Sequence, residues 1–109
     1  MIYKGKELNT IGEIFNTALE LAHTNKNDAH DFFFQYANYI MEKNGESFDW
    51  AVELAKNNLG YYAGYFPKEI CDLIYNTYEG IHPIFGRKPY DVSPEEAYKM
   101  GKEAVRNKH

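Results

Sequence analysis

From Asn57 to Gly86 the chain reads NNLGYYAGYF, then PKEICDLIYNTY, then EGIHPIFG, and no other stretch limits the fold so sharply. Half of the ten tyrosines, two of the four prolines and the only cysteine lie in it. Gly60 and Gly64 stand four residues apart with Ala63 between them. On a helix they form one small-residue face that another backbone can approach closely. The helix is expected to run through Gly60 to about Tyr65, although an interior glycine costs up to about 1 kcal/mol. Tyr61, Tyr62 and Tyr65 then cover more than one face, which leaves at least one ring exposed or at an interface. Pro67 suits the first turn of a following helix, where its missing amide removes no hydrogen bond. The inner face of that helix is Ile70, Cys71, Ile74 and Tyr78, and Gly80 ends it. Ile81-His-Pro-Ile-Phe-Gly86 is apolar yet punctuated by Pro83 and Gly86, which predicts a docked loop and not a helix.

On either side of this stretch the pattern is that of amphipathic helix. Met1 to Leu8 reads as a short strand around Gly5 or a flexible end. Thr10-Ile-Gly-Glu13 fits a capping box, and Ile11, Ile14, Phe15, Ala18, Leu19 and Ala22 follow at helical spacing. Asn27 or Asp28 is the expected cap of a second helix with the stripe Ala29, Phe32, Phe33, Tyr36, Ala37 and Ile40. Phe34 falls outside that stripe and is expected to meet another helix or another subunit. Asn44-Gly45 supplies the stop. Ser47 caps a third helix with Trp50, Ala51, Leu54, Ala55, Asn58 and Leu59 on one face. Ser93-Pro-Glu-Glu96 joins cap, first-turn proline and box glutamate, and opens a last helix. That helix buries Ala97, Tyr98, Met100, Gly101, Ala104 and Val105 and ends on Lys102, Arg106 and Lys108. The expected fold is all-α: one helical domain over residues 1–109, a compact bundle of about five short amphipathic helices with a docked HPIFG loop.

Charge and length exclude some functions. The net charge is −4 and only Arg87 and Arg106 among the twelve cations are arginines, so the basic field needed for direct nucleic acid binding is missing. One cysteine forbids an internal disulfide and suits a reducing compartment, and no segment approaches the length of a membrane span. A cytoplasmic protein that does not bind membranes is expected. Lys, Asn, Tyr and Ile are abundant and Arg is scarce, the bias of AT-rich codons and hence of a low-GC bacterium or its phage.

The chemistry-bearing residues give no catalytic pattern. His23, Asp28, His30 and Asp31 could ligate a metal, but they match no zinc spacing, and a solvated connection between helices explains them more simply. Cys71 and His82 could pair as nucleophile and base, yet Cys71 lies on an inner stripe, where lone cysteines act as small hydrophobes. Glycines 60, 64 and 80 are too widely spaced for a phosphate-binding loop. No enzyme, no cofactor and no metal are expected.

Asn58 stands in the middle of an apolar stripe, so its amide is hydrogen-bonded, either within the bundle or to a ligand. Tyr61, Tyr62, Tyr65, His82, Phe85, Arg87 and Tyr90 crowd the end of the third helix and the loops after it. Rings beside an arginine suit a stacked base or a protein hot spot, and equally the closed base of a helical bundle.

The GYYAGY stretch, HPIFG and the SPEEA helix start together resemble a family of small phage and prophage proteins of uncharacterised function. The resemblance covers about the last sixty residues and the preceding helix more loosely. It implies an accessory gene of the kind that inhibits host defence, and carries over no functional residue. Two expectations follow. In the first, Asn58, Tyr61, Tyr62, Tyr65, His82, Phe85 and Arg87 line an aromatic pocket that sequesters a nucleotide-type signal of bacterial immunity. In the second, the same surface docks on a host defence or nucleic-acid-binding protein, the acidic balance steering it to a basic partner. In both, a homo-oligomer is expected.

Overall fold

A computed structural model describes residues 1–85 and 91–107, with side chains as far as Met100. Among these residues the order is β1 (Ile2–Tyr3), β2 (Lys6–Glu7), α1 (Ile11–Thr24), α2 (Lys26–Asn44), α3 (Phe48–Ala63), α4 (Lys68–Thr77) and α5 (Pro94–Asn107). The helices make an all-α bundle with a radius of gyration of 13.2 Å. A compact chain of this length has about 13 Å, so among the described residues no long arm stands away from the body. The first eight residues are a small antiparallel hairpin with Ile2 opposite Glu7 and Tyr3 opposite Lys6. Lys4 and Gly5 both take positive φ at its turn, the conformation that matches strand twist in two-residue hairpins.

Four of the five helices start where a side chain serves free amides, and α4 starts after Pro67 with no side-chain cap. Thr10 accepts from the Glu13 amide at 3.2 Å, and Glu13 reaches back to the Asn9 amide at 3.3 Å. Ser47 accepts from the Trp50 amide at 3.3 Å, and Ser93 from the Glu96 amide at 3.2 Å. The second cap differs from the expected one. Asn25, not Asn27 or Asp28, accepts from the amides of Asn27 and Asp28, because α1 and α2 are joined by that one residue. Asn25 therefore closes α1 through its own amide and opens α2 through its side chain.

One core joins the helices. The α2 stripe of Ala29, Phe32, Phe33, Tyr36, Ala37 and Ile40 is buried throughout. Phe15 of α1 is fully buried between Tyr62 and Phe66, its ring centroid 5.5 Å and 5.2 Å from theirs. Tyr3 meets Phe32 edge-on at 4.8 Å, which seats the hairpin on α2. Tyr78, just after α4, donates its hydroxyl to the Ala18 carbonyl, and burial pushes its pKa far above the usual tyrosine range. Ala51, Ala55, Leu59 and Ala63 form the buried line of α3. Trp50, expected on that line, is 47% exposed: at about 100° per residue it points about 100° away from Ala51 and further from Ala55 and Leu59, off the buried line.

α5 is fastened by a reciprocal pair of contacts. Tyr39 of α2 donates to Glu95 of α5, while Tyr98 of α5 donates to Glu46 in the turn between α2 and α3. Burial, and then the Glu95 carboxylate, push the Tyr39 hydroxyl up to about 12. Ala97 is buried as expected, whereas the burial of positions 101, 104 and 105 lies outside what the structure describes.

Candidate binding surface

The two glycines of the central stretch explain how it is arranged. α3 runs through Gly60 and ends at Ala63, with Gly64 as its C-cap, two residues short of Tyr65. Residues 81–85 come back across this end of the helix, and the Ile84 amide donates to the Gly60 carbonyl at 2.9 Å. A Cβ at position 60 would stand 2.5 Å from the His82 carbonyl oxygen. A Cβ at position 64 would overlap the Ile84 carbonyl, its carbon at 2.5 Å. Real Cβ contacts do not come within 3.0 Å, so only glycine admits the loop at either position. Ile81 is fully buried beneath it. The small-residue face thus receives a backbone, as its spacing implied.

Helical geometry then divides the candidate residues. Asn58 and Gly60 are two positions apart, as are Tyr62 and Gly64, which at about 100° per residue sets them on opposite sides of α3. The Asn58 amide donates to the Tyr36 hydroxyl of α2 at 2.8 Å, so its bond within the bundle is accounted for. It borders a cleft of about 10 Å³ with Ile40, Leu54, Pro94, Ala97 and Tyr98, room for roughly one water molecule. Tyr62 stacks on Phe15, and its hydroxyl is pushed up to about 12 by burial and by the Asp91 carboxylate. Both residues face the interior. Tyr61 is half-buried, and Tyr65 is 59% exposed.

His82 and Phe85 belong to the opposite, loop side. The exposed His82 ring lies 5.2 Å from that of Tyr75 on the outward side of α4, and Tyr75 is itself 48% exposed. Phe85 is 68% exposed. Arg87 and Tyr90 lie outside the described residues. Among the described members of the sequence-expected set, Asn58 and Tyr62 pack inward, while His82 and Phe85 project from the loop. Tyr75, not expected at the surface site, joins His82; its outward position could be read from the gap it leaves between the inner residues Cys71, Ile74 and Tyr78.

Cys71 and His82 hold separate partners. The buried Cys71 thiol donates to the Ala63 carbonyl at 3.0 Å, and burial followed by the nearby Asp72 pushes its pKa up, away from thiolate chemistry. Asp28 pairs with Lys4 at 3.1 Å. Among the described residues no three His, Cys, Asp or Glu side chains come together as a metal site, and no helix is long and apolar enough to cross a membrane.

Asp91 anchors the far side of the connection between α4 and α5. Its carboxylate accepts from the Gly12 amide at 2.9 Å, and the Val92 carbonyl accepts from the Ile11 amide at 2.8 Å. The first turn of α1 is thus capped by a residue 79 positions away as well as by Thr10. The Thr10 hydroxyl and the Gly12 amide, with Tyr62 contributing less, hold the Asp91 carboxyl below its ordinary value of 3.8. A lowered carboxylate stabilises above the unfolded value and loses that contribution as pH falls through the folded one. Asp91→Asn should therefore melt below the wild type at pH 7, with the gap closing below about pH 4 in melts across a pH series. The group is exposed, so the gap is modest.

No protein-family model matches this chain, and neither a curated protein nor a solved structure matches it.

Proposed function

We propose that this chain works by binding and not by catalysis, and that it docks on a protein partner through the face carrying Tyr75, His82 and Phe85. One observation carries this reading: large rings stand in solvent on a loop whose backbone is fastened to α3 at Gly60 and Gly64. Fixed aromatic side chains are effective contact groups, because they offer a large area and lose little freedom on binding. The resemblance to small phage and prophage proteins suggests a component of bacterial defence as the partner, bound and neutralised inside the host cell.

Capture of a nucleotide-type signal is the second reading, and the Tyr75–His82 ring pair is what favours it, as a surface on which a base could stack. It has weaker support, since Asn58 and Tyr62 are engaged in the interior.

Affinity capture from the lysate of a low-GC bacterium separates the two. Wild type should retain a defined partner that Tyr75→Ala/Phe85→Ala loses, with the double variant melting within a few degrees of wild type. Hot-spot truncations of this kind cost about 2 kcal/mol or more each, enough to empty the bait. If the double variant retains the same partner, the docking face is elsewhere. If no partner is retained and a nucleotide raises the melting temperature of the wild type, capture of a small molecule replaces docking. Phe34 meets another helix, stacking on Phe48 of α3, and the expected self-association is read separately, by mass in light scattering.

A further inference from the structure

We draw no further inference here: the strongest candidate, the exposed surface patch where Phe34 of α2 stacks on Phe48 at the start of α3, is an unpartnered apolar face, and nothing in the structure shows what covers it.

Discussion

Gly64→Ala should lower the stability of this domain by about 3 kcal/mol, the upper part of the range for forcing an extra carbon into a packed site. Two effects compete at the position. Gly64 has φ −63 and ψ −11, a helical conformation that alanine favours over glycine by up to about 1 kcal/mol. Against this, the added methyl would overlap the Ile84 carbonyl, which is backbone and cannot rotate away as a side chain could. The overlap wins if residues 81–85 are docked, and the melting temperature falls by roughly 15 °C for a domain of this size. Local relief is available if the loop lifts off, but it would break the Ile84–Gly60 hydrogen bond and expose the buried Ile81. The sign is therefore diagnostic: an alanine variant more stable than wild type means that nothing rests on this face of α3. Urea unfolding of the two proteins gives the answer directly.

Phe15→Ala is expected to cost about 4 kcal/mol, within the usual span for emptying a buried aromatic site. The ring is fully buried, and the flanking Tyr62 and Phe66 come from α3 and from the turn after it. Those neighbours are held by their own helix and turn, so they cannot collapse freely into the space. A domain of this size has only about 5–15 kcal/mol in all, and the variant should be largely unfolded at temperatures the wild type tolerates. Tyr65→Ala provides the contrast. Its ring is more than half exposed, and its loss should change stability by no more than about 0.5 kcal/mol. Equal losses from Phe15 and Tyr65 would contradict this assignment of core and surface.

Local signals were enough for most of the fold. Caps and stops act within four residues, so the Thr10, Ser47 and Ser93 starts and the left-handed Gly45 stop could all be read from spacing. The α2 stripe follows from periodicity alone. The misplaced cap at Asn25 shows the limit: Asn25, Asn27 and Asp28 are chemically equivalent choices, and the choice depends on how tightly α1 turns into α2. Trp50 is a different case. Its ring lies about 100° around α3 from Ala51, off the line of Ala51, Ala55, Leu59 and Ala63 that the bundle covers.

The surface was harder to read, for a physical reason. A tyrosine or histidine has the same local pattern whether it stacks on a core ring, as Tyr62 does, or stands in water, as His82 does. What separated the candidates was the return of residues 81–85 onto Gly60 and Gly64, a contact between segments twenty residues apart. Asn58 could be recognised as an amide in need of a partner, but its partner, Tyr36, lies on another helix. Asp91 had no local signal, because its bond to Gly12 joins the two ends of the chain.

The docking of residues 81–85 against α3 is what fixes His82 and Phe85 in solvent. The amide of Ile84 reports on it most directly. In the wild type its proton should exchange with deuterium at least roughly a hundredfold more slowly than in an unstructured peptide, a protection equivalent to about 2.7 kcal/mol of opening free energy. In Gly64→Ala that protection should be lost first, ahead of the amides of α1 and α2. Exchange at the free-peptide rate in the wild type would contradict the account: the loop would then lie free of the two glycines, and its rings would be tethered and not fixed.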